Sequence, residues 1–191
     1  MPSQPDPQTS PATAMLSDVK TLRERARRHI EEGALTENYT GDRGTILRLL
    51  NEALATEIVC TLRYKRHYYT AKGLTSASIA EEFLEHAHEE EEHADRFAER
   101  ITQLGGEPDF SPDTLTARSH AEYIEGASLI DMIKEDLVAE RIAIDSYREA
   151  VQYIGTTDST TRRLFEDVLA VEEEHADDMQ SLIEQIGRRP A

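Results

Sequence analysis

The chain has 191 residues, which is enough for one domain with an extension, and a domain of that size buries a core that needs no disulfide. Its single cysteine, Cys60, excludes an internal disulfide and any metal site built from several thiolates. The formal net charge of -17 disfavours binding of the whole protein to nucleic acid or anionic lipid, and suits a protein that attracts cations.

An extension precedes the main domain. Residues 1–16 hold four of the seven prolines among Ser, Thr and Gln, which predicts a disordered tail. Within the rest of the extension, residues 17–42, we predict a short peripheral helix from Ser17 as N-cap to Gly33 as C-cap. Its apolar stripe consists of Val19, Leu22, Ala26 and Ile30.

Four long helical patterns follow, separated by three turn signals. The helices are predicted over residues 43–72, 76–104, 127–154 and 158–186. The breaks fall at Gly73-Leu74, at Gly105-Gly106 with the prolines after it, and at residues 155–157. At about 1.5 Å per residue, each helix is roughly 42–45 Å long.

The lengths of the connections predict how these helices are arranged. Tight turns join the first two helices and the last two, so each pair is an antiparallel hairpin, and the segment between the pairs can run the length of the bundle. The sequence therefore predicts an all-α fold with ferritin-like topology. Its parts are an antiparallel four-helix bundle over residues 43–187 with a long crossover, a short N-terminal helix, and a tail of residues 188–191.

The sequence carries no pattern for membrane insertion or export. No apolar run approaches the roughly 18 residues that a membrane span needs. The N-terminus lacks a basic start followed by an apolar stretch. Together with the single cysteine, this predicts a protein of the reducing cytoplasm with no membrane partner.

The two predicted hairpins repeat one another. Residues 90–95 and 172–177 both read EEEHAD, at an offset of 82. The helices before them match more loosely, at an offset of 83. The matching residues are Leu54, Glu57 and Tyr64 with Leu137, Glu140 and Tyr147. The chain is therefore predicted to be a duplicated helical hairpin.

Two Glu-x-x-His units carry the candidate metal ligands. They are Glu90 with His93, and Glu172 with His175. A spacing of three places the carboxylate and the imidazole on one helix face, so each unit can hold a metal from one side. A single acidic run usually marks a solvated helix face, but this run occurs twice and leads into a histidine both times.

Hairpin geometry predicts two further ligands at the same height. Glu57 lies as far before the Gly73-Leu74 turn as Glu90 lies after it, and Glu140 and Glu172 flank residues 155–157 in the same way. Four inward carboxylates would repel one another unless they took up protons, whereas two divalent cations would neutralise them. Oxygen and nitrogen donors favour iron or manganese, with zinc as an alternative.

From about residue 45 to residue 187 the chain resembles the bacterioferritin branch of the ferritin superfamily. The stretches LNEALATEIVCTLRY and EEEEHADRFAERITQLGGEP carry the resemblance. It implies two iron ions per subunit and the ferroxidase ligands Glu57, Glu90, His93, Glu140, Glu172 and His175, with Glu90 and Glu172 as bridges. It also implies that Tyr64 lies beside the centre and donates an electron or a hydrogen bond.

The chain departs from bacterioferritins in two places. Glu91 stands where they carry the methionine that ligates haem, so no haem is predicted. The N-terminal extension is more like that of Dps-type mini-ferritins. We therefore expect a homo-oligomer of twelve subunits, with the twenty-four of bacterioferritins as the alternative.

The resemblance implies an iron storage and detoxification protein that oxidises Fe(II) to Fe(III) with dioxygen or hydrogen peroxide inside a hollow shell. One alternative is a di-metal peroxidase or catalase that stores no iron, although the Cys-x-x-Cys pairs of rubrerythrins are missing. Another is a DNA-protecting mini-ferritin. Residues 17–30 hold five Lys and Arg against two acids, but pairing with an acidic neighbouring subunit explains this equally well, so DNA binding is not favoured.

Several residues near the candidate ligands are predicted to have ordinary roles. Most of the neighbouring glutamates should face solvent or the shell interior: Glu89, Glu91, Glu92, Glu173 and Glu174. His86 lies seven residues before His93 and on its face, so it is a candidate for an extra ligand, although packing against the ligands is the favoured role. Tyr147 suits core packing and a redox role equally, and Cys60 is expected to be a small buried apolar side chain.

Overall fold

The computed structural model of the chain describes residues 16–71 and 76–187. The predicted C-terminal tail, the predicted N-terminal tail up to residue 15 and the turn at Gly73 and Leu74 lie outside these residues. Within them every regular element is a helix, which confirms the all-α fold class. None of the helices in this part of the chain is both long and apolar enough to cross a membrane.

The N-terminal helix, α1, spans Val19–Arg25. Its N-cap is Asp18 rather than the predicted Ser17. The Asp18 carboxylate accepts hydrogen bonds from the backbone N–H groups of Lys20 and Thr21, at 2.9 and 3.0 Å. Aspartate and serine cap helices about equally well, so two adjacent candidates made the start of this helix ambiguous.

The same helix ends well before the predicted Gly33. The backbone turns left-handed at His29, where φ is 49°, and a separate 3-10 turn covers Ile30–Glu32. α1 has no buried residue. Packing of an apolar face supplies most of the stability of helices in proteins. The exposed apolar stripe of α1 therefore adds little stability that could extend the helix to Gly33.

Four long helices make up the bundle. They are α2 (Arg43–Thr70), α3 (Ser76–Gln103), α5 (Leu129–Ile154) and α6 (Ser159–Gly187), with a short α4 (Leu115–Arg118) before α5. Each long helix begins and ends within two residues of its prediction. α2 packs along α3, and α5 packs along α6, so the helices pair as predicted.

The crossover between the hairpins covers residues 104–128 and is held against α2 by polar side chains. The Asn51 side-chain oxygen accepts a hydrogen bond from the backbone N–H of Asp109 at 2.8 Å. The Thr56 hydroxyl accepts one from the backbone N–H of His120 at 3.0 Å. α4, inside this segment, was not predicted, because four residues are too few to show a helical period.

A buried ionic network holds the end of the crossover. Arg63 and His67 on α2 each contact Asp136 on α5 at 2.8 Å. Arg63 also donates to the carbonyl of Glu122 at 3.1 Å, and Nε2 of His67 lies 3.1 Å from the carbonyl of Glu125. The side chains of Arg63, His67 and Asp136 are at most 1% exposed, so these contacts replace the water that would otherwise satisfy their polar atoms.

One face of every long helix carries a glutamate between two apolar residues, which stand seven positions before and after it. The four series are Leu50, Glu57 and Tyr64; Phe83, Glu90 and Phe97; Ile133, Glu140 and Tyr147; and Phe165, Glu172 and Met179. Every member is at most 1% exposed. Seven residues are almost two helical turns, so the core is a layer of four glutamates between two apolar layers.

Candidate metal centre

The structure brings together the six side chains that the sequence singles out as metal ligands. Glu57 comes from α2, Glu140 from α5, and one Glu-x-x-His unit from each of α3 and α6. Each of the six is at most 4% exposed. The layer of four glutamates in the bundle therefore also contains His93 and His175.

These side chains form two overlapping groups. One consists of Glu57, Glu90, His93 and Glu172, and the other of Glu90, Glu140, Glu172 and His175. In each group the four donor atoms lie within 4.8 Å of one another. Each group has a glutamate and a histidine of its own, and both share Glu90 and Glu172. This is a suitable arrangement for two adjacent cations with two bridging carboxylates.

The two histidine Nδ1 atoms face different oxygens of the shared Glu172, and each also faces one unshared glutamate. Nδ1 of His93 lies 3.0 Å from Glu172 Oε1 and 3.4 Å from Glu57 Oε2. Nδ1 of His175 lies 3.6 Å from Glu172 Oε2 and 4.0 Å from Glu140 Oε2. Separations of this size leave room for an ion between donors, since metal–ligand distances for nitrogen and oxygen are about 2.0–2.2 Å.

The unsatisfied polar atoms of the described residues point to the same place. Seven buried side-chain atoms there make no hydrogen bond, and all seven belong to the six candidate ligands. They are Oε2 of Glu57, Oε1 of Glu90, Nδ1 of His93, Oε2 of Glu140, both carboxylate oxygens of Glu172, and Nδ1 of His175. Buried polar groups are normally paired, so these atoms fit a pair of cations that would satisfy them together.

Two tyrosines hold the outer oxygens of the two unshared glutamates. The Tyr64 hydroxyl on α2 donates a hydrogen bond to Oε1 of Glu140, and the Tyr147 hydroxyl on α5 donates one to Oε1 of Glu57. In both glutamates the other oxygen, Oε2, is the unpaired atom. Each hydrogen bond therefore orients a carboxylate so that one oxygen stays free to bind a cation.

The electrostatics of the layer show how strongly it needs positive charge. Burial raises the pKa of Glu57 and Glu140 well above that of an ordinary glutamate, and the charges of the shared glutamates raise it further. Burial opposes a charged imidazole, but the surrounding carboxylates outweigh it and raise the pKa of His93 and His175 to about 12. Without cations, the layer therefore holds protons that divalent metals would displace.

Burial also disfavours the ionised form of Glu90, yet the pKa of this carboxyl lies below its usual range. The nearby Glu57 carboxyl and the imidazoles of His175 and His93, whose Nδ1 atoms each lie 3.8 Å from a Glu90 oxygen, favour the carboxylate and account for the lower pKa. Burial raises the pKa of Tyr64 and Tyr147, and the nearby glutamate charges add to this effect. Both phenols therefore keep their protons and remain hydrogen-bond donors.

Three residues beside the candidate ligands, Glu89, His86 and Cys60, have contacts or burial that the sequence predicted only in part. The carboxylate of Glu89 lies 2.8 Å from Nε2 of His175, although Glu89 belongs to the set of which most members were expected to face solvent. His86 packs its ring on that of His175, with centroids 4.0 Å apart. Cys60 is 1% exposed, as a small buried side chain would be. Burial raises the pKa of the Cys60 thiol well above its usual range.

Comparison with known proteins gives one consistent family. Residues 47–189 match the family described as a ferritin-like domain. A bacterioferritin of Mycobacterium avium is 30% identical over 140 residues, which cover 73% of this chain and 84% of that protein.

Two solved structures are similar in sequence as well as in fold. A dodecameric thioferritin of Bacteroides fragilis, a bacterioferritin-related protein, is 30% identical with a TM-score of 0.74. The match covers 77% of this chain and 89% of that one. The bacterioferritin of Rhodobacter capsulatus, which has a metal-free dinuclear site and haem iron, is 27% identical with a TM-score of 0.69. That match covers 78% of this chain and 89% of the other.

Proposed function

The chain belongs to the ferritin-like family, a family of iron-storage proteins, and from this premise we propose that its buried centre is a ferroxidase site. The seven unpaired atoms of the glutamate layer carry the proposal. A layer of four carboxylates and two imidazoles has no apparent structural value when its polar atoms lack partners. Two bound cations would pair these atoms and offset the free-energy cost of burying them.

The substrate we propose is a pair of Fe(II) ions. Glu57 and His93 would hold one ion, Glu140 and His175 the other, and the shared carboxylates of Glu90 and Glu172 would contact both. Each Fe(II) gives up one electron. Together the two reduce one dioxygen to hydrogen peroxide, or one peroxide to two waters, with two protons consumed in either case. The Fe(III) product then leaves for storage.

The chain's own residues support this chemistry in three ways. Carboxylates and imidazoles bind both oxidation states of iron without thiolate ligands. Tyr64 and Tyr147 hold the unshared glutamates in place, and Tyr64 is also a candidate electron donor. The apolar layers above and below the glutamates restrict access of solvent to the reacting pair.

We propose that the protein works as a homo-oligomeric shell of twelve subunits, with twenty-four as the alternative. The dodecameric thioferritin of Bacteroides fragilis supports the smaller number, because its subunit covers most of this chain at 30% identity.

We also propose that the protein binds no haem, since the position of the bacterioferritin methionine is Glu91, whose carboxylate pairs with Lys65 at 2.9 Å. An absorption spectrum of protein purified from haem-supplemented cells tests this second point.

Aerobic loading with Fe(II) tests the storage function against the peroxidase or catalase alternative. Size-exclusion chromatography with light scattering gives the particle size, and the iron content is measured after desalting. Storage predicts a large particle that retains many Fe(III) ions per chain. Retention of two ions per chain with rapid turnover of hydrogen peroxide would instead favour the enzyme, and reject storage.

DNA binding is a second candidate, favoured by a single observation. α1 and the turn after it carry five basic residues, of which four are exposed: Lys20, Arg23, Arg27 and Arg28. An electrophoretic mobility shift assay with duplex DNA at several salt concentrations tests it, with the full chain and with a variant that lacks residues 1–33. DNA binding through this segment predicts a shift that weakens with salt and is lost in the shortened chain.

A further inference from the structure

A second cluster of metal-binding groups lies beside the glutamate layer, between α3 and α6. It consists of Glu82 and His86 on α3 and Asp178 on α6, and its donor atoms lie within 4.8 Å of one another. Nε2 of His86 is 3.6 Å from both Glu82 Oε1 and Asp178 Oδ2. None of these three residues belongs to the six ligands proposed for the ferroxidase centre.

The hydrogen bonds of Tyr64 determine which nitrogen of His86 carries its proton. The Tyr64 hydroxyl gives its own hydrogen to Glu140, so its oxygen is an acceptor for the group on its other side. That group is Nδ1 of His86, at 3.3 Å. In a neutral His86 ring the proton is therefore on Nδ1, and Nε2 presents a lone pair.

This lone pair points to a ligand. The His86 side chain is 3% exposed, and its Nε2 makes no hydrogen bond with any residue that the structure describes. Instead it faces two carboxylate oxygens at 3.6 Å, which is too far for a hydrogen bond. A cation between the three groups would be coordinated by one nitrogen and two oxygens.

The separations also suit an ion. Two donors that bind one metal at about 2.0–2.2 Å are roughly 2.8–3.6 Å apart for angles between octahedral and tetrahedral values. The two distances of 3.6 Å from Nε2 to the carboxylates lie at the upper end of this range. The side chains of Glu82 and Asp178 are 35% and 53% exposed, so water can complete the coordination shell from the solvent side.

We propose that Glu82, His86 and Asp178 form a third binding site for a divalent transition-metal ion, next to the paired centre and open to solvent. Imidazole with carboxylate and water suits Fe(II), Mn(II), Co(II) or Zn(II). The site contacts the paired centre directly, since the ring of His86 stacks on His175 and its Nδ1 bonds Tyr64. If the proposed function holds, this site receives Fe(II) from solvent before the ion enters the buried layer.

Anomalous diffraction from crystals soaked in Co(II) tests the site directly, with data collected on both sides of the cobalt absorption edge. Three proteins are compared: the wild type, the variant Glu82→Gln with Asp178→Asn, and a control with Glu81→Gln and Asp177→Asn. The control removes the same charge from exposed neighbours of the two ligands. None of the substitutions touches the six residues of the paired centre.

We expect a cobalt peak about 2.0–2.2 Å from Nε2 of His86 in the wild type and in the control, and its loss in the Glu82 and Asp178 variant. Equilibrium dialysis should show one bound Co(II) fewer per chain in that variant alone. A wild-type map without the peak, or a peak that survives both substitutions, overturns the third site. Cobalt peaks among the six ligands report separately on the ferroxidase centre, so the two proposals can fail independently.

Discussion

The hydroxyl of Tyr147 donates a hydrogen bond to Glu57 across the bundle, from one hairpin to the other. Tyr64 makes the equivalent bond to Glu140 in the opposite direction. The internal repeat of the sequence thus becomes a pseudo-symmetric pair of phenols, each of which supports the unshared carboxylate of the other hairpin. This relationship assigns Tyr147 a contact with the centre that core packing alone would not require.

Replacing Tyr147 with Phe should slow Fe(II) oxidation because Glu57 loses the bond that orients it. Outer-shell partners of metal ligands are typically worth about 10–100-fold in affinity or activity, and we expect a loss in that range. Tyr64→Phe should act similarly on Glu140. Stopped-flow absorbance of Fe(III) formation gives the rates, with Tyr69→Phe, at a residue that is 78% exposed, as the control. Wild-type rates in both single variants would show that the phenols do not support the centre.

The metal-free protein should lose stability as pH rises from about 5 to 8. The pKa values of Glu57 and Glu140 are raised in the folded state, so the folded chain holds protons that the unfolded chain releases above an ordinary glutamate pKa of about 4.3. His93 and His175, with pKa values of about 12, act in the same direction above about 6.5. A state that binds more protons is favoured at low pH, so the free energy of unfolding falls as pH rises.

Urea unfolding of chelator-treated protein at several pH values measures this slope. The variant Glu57→Gln with Glu140→Gln should have a smaller slope and a higher stability at pH 8, because neutral amides replace groups that are hard to ionise. The control Glu99→Gln with Glu149→Gln removes two exposed carboxyl groups and should keep the wild-type slope. Equal slopes in all three proteins would mean that the layer does not hold the extra protons.

Asp136→Asn should destabilise the bundle strongly. The Asp136 carboxylate is the buried partner of Arg63 and His67, and its loss leaves the Arg63 guanidinium without a counter-ion in the core. Removal of one partner from a buried ion pair costs about 3–5 kcal/mol. Asp145→Asn breaks an exposed pair with Arg148 and should cost about 0–1 kcal/mol. Chemical denaturation compares the two, and similar small losses would exclude the network as an anchor of the crossover.

The sequence predicts the bundle and its centre because both depend on signals that repeat along one helix. Spacings of three and seven residues place Glu90, His93 and the apolar residues on one face of α3. The second EEEHAD run predicts the equivalent face of α6. The turn positions then set the heights of Glu57 and Glu140. That these residues bind metal remains a prediction.

Contacts between helices that are far apart in sequence could not be predicted in the same way. Asp136 looks like one more acidic residue of α5, because its partner Arg63 is 73 positions away. Glu89 stands next to a candidate ligand in an acidic run, and only the packing of α3 on α6 shows that it reaches His175. α4 is too short for a periodic signal, and two adjacent capping residues obscured the start of α1.

The central claim, a two-iron ferroxidase centre, is tested most directly by stopped-flow titration of the metal-free protein with Fe(II) in oxygenated buffer. We predict a rapid oxidation phase whose amplitude saturates at two Fe(II) per chain, and its loss in the variant Glu90→Gln with Glu172→Gln. The control Glu92→Gln with Glu174→Gln changes exposed positions of the same repeat and should keep the phase. A rapid phase that persists in the Glu90 and Glu172 variant, or that never saturates near two ions per chain, would contradict the assignment.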